Sequence, residues 1–201
     1  MRAGDGARQG RSDSGFSVIE LLAALVIVAT LTAIGAPVAA SVTDTSRARH
    51  AAAFVSSRFR LARQEALGRG VNVGVVFDRQ GAGWSVRVCR DGNRNGIRRA
   101  DIGSGADPCV DGPYAIGDVV PHVNVAVDAT IKGPSGEAPN ADPVRFGASD
   151  IASFSPLGSC TAGSLFLRSA GGAQFAVRIA GVTGRLRVLR YDSPKAGWKD
   201  E

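Results

Sequence analysis

The chain has 201 residues, with 24 Lys and Arg against 18 Asp and Glu, a net charge of +6 and 44% hydrophobic residues. This apolar content is too high, and the charge too mild, for a wholly disordered chain. Three cysteines are too few for a disulfide-built miniprotein or a cysteine-rich zinc protein. The length predicts one globular domain with an appendage.

The N-terminus divides into a polar leader and an apolar segment. Residues 1–15 are glycine-rich, carry three arginines and cannot bury enough apolar surface to fold, so they are predicted to be a targeting leader. Residues 16–40 contain 19 apolar side chains, and no charge occurs from Leu21 to Thr43. This is about the 20 residues needed to span a bilayer. We therefore predict a transmembrane half-helix over residues 16–43, with the basic leader in the cytoplasm.

Glu20 is the unusual residue of this segment, because it places a carboxylate at the edge of the apolar run. A carboxylate in hydrocarbon costs about 2.5–3.5 kcal/mol on insertion scales. One interpretation places Glu20 among the lipid headgroups. The other pairs it with a cation from another chain.

The segment GFSVIELL at residues 15–22 resembles the prepilin processing motif of type IV pilins and type II secretion pseudopilins. The resemblance implies cleavage between Gly15 and Phe16 by a prepilin peptidase and N-methylation of Phe16. It also implies an inner-membrane protein with a periplasmic C-terminal domain, which later joins a pilus or pseudopilus. In such filaments Glu20 would neutralise the N-terminal amine of a neighbouring subunit, and Pro37 would kink the helix.

The helix is predicted to continue beyond the membrane. From Asp44, apolar residues recur at helical spacing and arginines occupy mainly the other faces, which indicates an amphipathic half-helix over residues 44–68. The whole helix, residues 16–67, would be about 78 Å long at 1.5 Å per residue. A helix of this length needs other elements to pack against. The resemblance implies that neighbouring subunits and a globular sheet provide this packing.

Residues 69–201 are predicted to form an antiparallel β domain laid against this helix, giving a pilin-like α+β fold. Glycine- and proline-rich joints separate short β-rich runs, whereas residues 129–143 are turn-rich and predict an exposed loop. The predicted strands cover residues 71–77, 84–89, 119–127, 165–168, 175–179 and 185–191.

Two further segments narrow the resemblance to the GspH/FimT group of minor pilins and pseudopilins: FSPLG at residues 154–158 and VTGRLR at residues 182–187. In the FimT branch the Gly-Arg-x-Arg motif contributes to DNA binding during natural transformation. The resemblance therefore implies a DNA-binding role for Gly184, Arg185 and Arg187.

The chemistry of this motif agrees with phosphate binding. Arg185 and Arg187 point to the same face of a strand, and guanidinium groups match phosphate oxygens well. We add Arg178, across the predicted hairpin, and Arg190, at the end of the same strand. Residues 145–190 contain six arginines and a single acid, which favours salt-dependent binding with little sequence preference. The alternative is a solvated strand in an arginine-biased chain, which has 21 Arg and 3 Lys.

Residues 91–96 (DGNRNG) imitate the first half of a calcium-binding EF-hand loop. The rest of the segment does not match an EF-hand loop. Arg99 and Ile102 occupy the ninth and twelfth positions, where an EF-hand supplies further calcium ligands. We therefore interpret the segment as a polar turn and expect no metal.

The remaining reactive residues give little sign of catalysis. In an oxidising compartment Cys89–Cys109 is the favoured disulfide of three possible pairings, leaving Cys160 over. His50 and His122 lack a recognisable nucleophile motif, and no phosphate-cradling glycine loop occurs. We expect neither an enzyme nor a cofactor.

Together these features predict a FimT-like minor pilin of a type IV pilus that binds DNA. Its expected partners are other pilins or pseudopilins, the prepilin peptidase, DNA, and inner-membrane lipid before assembly. A GspH-like minor pseudopilin of a type II secretion system is the alternative. A surface pilin that binds protein or carbohydrate is a third.

Overall fold

The computed structural model describes residues 17–201 except residues 82 and 196. The chain divides into two compact units, Met1–Ala40 and Ser41–Glu201. Helix α1, Val18–Arg69, contributes to both units and has 52 residues. The predicted long N-terminal helix is thereby confirmed, with its observed ends each two residues further along the chain.

The described part of the first unit is the apolar half of α1. Its most apolar 18-residue window has a mean hydropathy of 2.4, and none of that window is buried. The hydroxyls of Thr30 and Thr32 donate to the carbonyls of Ile27 and Val28, so these polar groups are satisfied within the helix. This segment is long and apolar enough to cross a membrane.

The second half of α1 packs through a stripe of mostly small residues. The spacing of three or four residues places them on one face, as the amphipathic pattern predicts. Small side chains allow the helix to lie close to the strands beneath it. The buried residues are Ala48, Ala51, Ala52, Val55, Ser56, Phe59, Ala62 and Ala66.

Two antiparallel sheets complete the second unit, and the predicted α+β fold is confirmed. The strands are β1 (Val73–Gln80), β2 (Gly83–Arg90), β3 (Cys109–Ala115), β4 (Val123–Asn124), β5 (Val144–Arg145), β6 (Ile151–Phe154), β7 (Gly163–Ser169), β8 (Gln174–Ile179), β9 (Leu186–Asp192) and β10 (Gly197–Asp200). The first sheet has the order β3-β2-β1-β6. The second has the order β10-β9-β8-β7-β4, with β5 also paired to β7. Two short α-helices, α2 (Arg99–Ser104) and α3 (Ile116–Val119), and a 3-10 turn, Ser193–Lys195, lie between strands.

The predicted strand over residues 119–127 is wrong. Its first residue ends α3, and only Val123–Asn124 pairs as a strand. Pro121 lacks a backbone N–H, and His122 has a φ of 67°, so the chain turns where a strand would continue. The other five predicted strands correspond to β1, β2, β7, β8 and β9.

A cluster of phenylalanine rings packs helix α1 against the rest of the second unit. The ring of Phe59 on α1 lies 5.6–6.2 Å, centre to centre, from the rings of Phe77, Phe146 and Phe154. Phe59 and Phe146 are each 1% exposed. Residues of α1 and of both sheets belong to the same buried apolar cluster, so helix and sheets share one core.

Candidate functional site

Gly15 and Phe16, the predicted processing site, lie outside the described residues. Glu20 is exposed in the first turn of α1. A carboxylate at this position interacts favourably with the positive end of the helix dipole. Helix α1 runs through Pro37 without interruption, and the predicted kink there stays a prediction.

Gly184 and Arg63 fix the backbone that leads into the Gly-Arg-x-Arg motif. Gly184 is buried with a φ of +61°, and a Cβ on it would lie 3.2 Å from the Arg63 Cζ. The Arg63 Nη1 donates to the Gly184 carbonyl oxygen at 3.1 Å, and its Nη2 to that of Thr183 at 3.4 Å. Glycine is therefore required here, both for its left-handed conformation and for the close approach of Arg63.

Three of the predicted DNA-binding arginines lie close together. The register of β8 and β9 pairs Arg178 directly with Arg187, as the hairpin prediction expected. Arg185 is exposed, immediately before β9, and its carbonyl oxygen accepts a hydrogen bond from the Ala180 N–H. The alternation of side chains along the strand directs Arg185 and Arg187 to the same face.

Carboxylates from outside residues 145–190 neutralise much of this charge. Arg187 forms a two-pronged pair with Asp200, at 2.8 and 2.5 Å. This hydrogen-bonded pair raises the pKa of Arg187 and lowers the pKa of Asp200. Arg178 donates to Glu137 at 2.9 Å. Counting charges within residues 145–190 therefore overstated the positive potential of this face.

Glu137 belongs to the predicted exposed loop, which lies across the second sheet. The Trp198 Nε1 of β10 donates to the Lys132 carbonyl oxygen at 2.8 Å, and the Asp128 N–H donates to Gln174 at 2.9 Å. Partial burial raises the pKa of Glu137, but hydrogen bonds from Arg178 and from backbone N–H groups outweigh this and hold that pKa below its usual value. The loop is exposed at its tip and anchored along its length.

The grouping of Arg190 with these residues is wrong. Arg190 is an odd number of positions from Arg185 and Arg187, and it shares a side of β9 with Val188, which packs on the main core. Its guanidinium lies 3.8 Å from Glu201, which also pairs with Arg49 of α1. Arg190 therefore belongs to the helix-facing side of the sheet.

The loop resembling an EF-hand is held together by its own backbone. Asp91 is 3% exposed and accepts hydrogen bonds from the Asn95 and Gly96 N–H groups and from the Asn72 side chain. Burial raises the pKa of Asp91, but these hydrogen bonds outweigh it and leave the pKa lowered. Asp107 likewise accepts from two backbone N–H groups. Within the described residues, no group of three or more His, Cys, Asp or Glu is placed to hold a metal ion.

One cysteine, Cys160, lies beside the turn that leads into the Gly-Arg-x-Arg motif, with its Sγ 3.4 Å from the Ala180 carbonyl oxygen and 3.5 Å from that of Gly181. Cys89 and Cys109, the pair favoured from the sequence, are directly opposed on β2 and β3 and are joined by a disulfide. Cys160 is free and half-buried, and burial raises the pKa of its thiol. His50 is exposed on α1, and His122 is exposed in the turn before β4.

A long N-terminal helix, apolar and exposed in its first half and packed on antiparallel sheets in its second, defines a pilin-like subunit. The family model for type II transport protein GspH matches residues 51–184, more than half of the chain, and the chain belongs to this family. Proteins of this family are structural subunits rather than enzymes. No curated protein and no solved structure matched the chain. The matched region begins after the apolar half-helix and ends at Gly184, just before Arg185 and Arg187.

Proposed function

We propose that this chain is a minor pilin that is cleaved between Gly15 and Phe16, held in the inner membrane by α1, and then assembled with other pilins. The observation that carries the proposal is the first half of α1. Its large apolar side chains from Val18 to Val42 are 56–78% exposed. In water such a surface is unfavourable, and lipid or the helices of other subunits would cover it.

Glu20 gives this surface a specific role in assembly. It is the only charged residue from Val18 to Thr43. Pairing with the amine of a neighbouring Phe16 would offset much of the cost of placing both charges in an apolar environment. The predicted specificity of docking therefore depends on one carboxylate.

The test compares Glu20→Ala and Glu20→Gln with Thr30→Ala, which alters an exposed polar residue of the same segment without changing charge. All three variants should insert into the membrane. The two Glu20 variants should enter sheared filaments about tenfold less than wild type, since an unpaired amine in hydrocarbon costs more than about 1.4 kcal/mol. Equal incorporation of the Glu20 variants would refute the role. Intact-mass measurement of the mature chain tests cleavage and methylation at Phe16.

We further propose that the subunit belongs to a type IV pilus and binds DNA, as in the FimT branch. What supports this is Arg185, which is exposed and makes no side-chain hydrogen bond or ion pair in the described structure. Arg187 and Arg178 are its neighbours, but phosphate would have to compete with Asp200 and Glu137 for them. Binding should therefore be weak and fall steeply with salt.

The control for this proposal is Arg190→Gln, which removes one positive charge from the opposite side of β9, and its charge-matched counterpart is Arg185→Gln alone, which should weaken binding more than Arg190→Gln does. Arg185→Gln combined with Arg187→Gln should abolish most retardation of duplex DNA by residues 41–201, whereas Arg190→Gln should leave most of it. Asp200→Asn should strengthen binding by freeing Arg187. If the double variant and Arg190→Gln behave alike, the motif is not the DNA site.

The alternative biological setting is a type II secretion pseudopilus, in which a GspH-like minor pseudopilin has no DNA role. The family match supports both settings equally. Deletion of the gene separates them: loss of DNA uptake with normal secretion supports the pilus, and a secretion defect with intact DNA uptake supports the pseudopilus.

A further inference from the structure

An open groove lies beside α1 just beyond the end of its uncharged run. Its volume is about 430 Å³, which is within the range of ligand cavities. One wall is a stripe of α1 that includes Thr43, Arg47 and His50, whose spacing places them on one face of the helix. The other wall is residues 119–121, at the end of α3. We call this cavity the α1–α3 groove.

The two walls of the groove differ in chemistry. Arg47 and His50 are exposed on the helix wall. The facing wall has the sequence Val-Val-Pro, and Val119 is 40% exposed. Val42, at the lower end of the helix wall, is 64% exposed. The groove therefore offers cationic and hydrogen-bonding groups on one side and an apolar surface on the other.

The positive charge of this groove is not neutralised by its own lining. None of the described residues that line it is acidic, and Arg47 forms no side-chain hydrogen bond or salt bridge within the described structure. The nearest acid along α1, Asp44, directs its carboxylate to the turn between β7 and β8 and interacts with Arg47 only through their charges. Asp118 of α3 lines a different cavity. The groove therefore has a positive wall with room for an external anion.

A neighbouring groove at the same level of α1 provides a contrast. It shares Ser46 with the α1–α3 groove and is also lined by Arg49 and Arg190. Both of these arginines pair with Glu201, so their charge is already matched within the domain. Of the two grooves, the one that contains Arg47 is therefore the better site for an external anion.

The sequence places the α1–α3 groove at the edge of a membrane. The uncharged run from Leu21 to Thr43 spans about 34 Å as a helix, slightly more than the roughly 30 Å of a hydrocarbon core. Arg47 lies about 6 Å further along the axis, and the headgroup layer is about 5–7 Å deep on each side. In the proposed orientation this end of the helix is periplasmic, where arginine beside a span is disfavoured. A bound anion would offset that unfavourable placement.

We propose that the α1–α3 groove binds the headgroup of an anionic membrane phospholipid before the subunit leaves the membrane. Arg47 donates to the phosphate oxygens, and an imidazole N–H of His50 supplies a further donor. Val42, Val119 and Pro121 contact the glycerol and the upper acyl carbons. A free phosphate or a nucleic-acid backbone fits less well, because neither offers an apolar part to the second wall. The inference rests on the proposed insertion of α1 into the membrane and adds a second membrane contact, at the turn after α3.

The first test measures which lipids the chain retains. The full chain is reconstituted in vesicles of phosphatidylglycerol and phosphatidylcholine, extracted in mild detergent, and examined by native mass spectrometry. Wild type should retain phosphatidylglycerol in preference to phosphatidylcholine, whose choline cation opposes Arg47. Arg47→Gln should lower retention of phosphatidylglycerol about fivefold, the effect expected for one arginine at an anionic surface, and Arg47→Lys should largely preserve it.

The matched control for lipid retention is Arg60→Gln, because Arg60 is exposed on α1 and does not line the groove. This variant should retain lipid as wild type does. Equal losses in Arg47→Gln and Arg60→Gln, or retention without a preference for phosphatidylglycerol, would overturn the proposal.

Photocrosslinking tests whether the turn after α3 meets the lipid. Benzoylphenylalanine at position 119, in the same vesicles, should form an adduct with phospholipid. The control position is Leu157, which is 93% exposed in a turn near Arg63, about 24 Å further along α1 than Arg47. No lipid adduct is expected there. Adducts only to protein at position 119, or equal lipid adducts at both positions, would contradict the proposed contact.

Carbonate extraction separates this proposal from membrane insertion itself. Because Arg47 is exposed, Arg47→Gln should leave both insertion and the circular dichroism of the folded domain unchanged. A chain that resists extraction, but shows neither the lipid preference nor the adduct at position 119, refutes the groove and leaves insertion standing. A wild-type chain that carbonate extracts refutes insertion, and the groove proposal with it.

Discussion

Asp44 connects the start of the packed half of α1 to the turn between β7 and β8. Its carboxylate accepts hydrogen bonds from the Ser169 hydroxyl and, at 3.0 Å, from the Gly171 N–H. Gly171 fits closely against it, because a Cβ on Gly171 would lie 2.6 Å from the Asp44 Cγ. The two residues should therefore show strongly coupled effects on stability.

The expected magnitudes follow from these contacts. Hydrogen bonds to a charged acceptor contribute about 1.5–3 kcal/mol when well shielded, and partial exposure of Asp44 reduces this, so Asp44→Ala should cost about 2 kcal/mol in total. Gly171→Ala should cost about 1–3 kcal/mol by crowding Asp44. With Asp44 already shortened to alanine, the obstructing atoms are gone and Gly171→Ala should cost little.

Urea unfolding of residues 41–201, followed by circular dichroism at neutral pH, measures the double-mutant cycle. The double variant should be more stable than the sum of the single effects by about 1–2 kcal/mol. Gly103→Ala is the matched control, because a Cβ there has no atom within 4 Å. Additivity within about 0.5 kcal/mol would show that Asp44 and Gly171 do not meet as described.

Three further predictions concern the core, the disulfide and pH. Phe59→Ala should lower the free energy of unfolding by about 3–5 kcal/mol, because it empties the ring cluster, and a loss below about 1 kcal/mol in urea unfolding would contradict this packing. Replacing Cys89 and Cys109 by serine should cost about 3 kcal/mol for a sequence separation of 20 and should make unfolding insensitive to added reductant, whereas serine at Cys160 should leave the wild-type sensitivity to reductant in place. Partial burial raises the pKa of Asp44, but hydrogen bonds from Ser169 and backbone N–H groups hold it below the unfolded value of 3.8. Asp44 therefore stabilises the fold above pH 3.8 and loses this effect as the pH falls below it. The difference in the free energy of unfolding between wild type and Asp44→Asn should narrow from about pH 6 to about pH 3. A difference that widens over this range would refute the lowered pKa of Asp44.

The helix and several strands could be predicted from the sequence because their signals are local. Periodic apolar residues defined the packed stripe of α1, including Phe59, and β-rich runs located β1, β2, β7, β8 and β9. The short strands β4 and β5 carry too few residues for any periodicity. Strands β3 and β10 lie in glycine- and charge-rich sequence, where pairing with a neighbouring strand, rather than local pattern, determines the conformation.

The surface that carries Arg178, Arg185 and Arg187 was only partly predicted from the sequence. Asp200 and Glu137, which pair with Arg187 and Arg178, lie 13 and 41 positions away, and no local count includes them. The error on Arg190 was avoidable, since an odd spacing from Arg187 already places it on the other side of a strand. Arg63 was missed as a partner of Gly184 because 121 residues separate them.

The small side chains along the packed face of α1 have a mechanical consequence. A tensile load entering from the N-terminal end of the helix meets the Asp44 hydrogen bonds before it reaches the buried alanines. Beyond them, Ala48, Ala51 and Ala52 offer short side chains with little shape to oppose sliding. Further along lie the bulky obstacles, first Phe54, whose ring packs edge-on against Tyr114, and then Phe59, wedged among three rings. Under force, the contacts of Asp44 should therefore break early and those of Phe59 late. The breaking of the Phe59 contacts should set the lifetime of the folded domain under load.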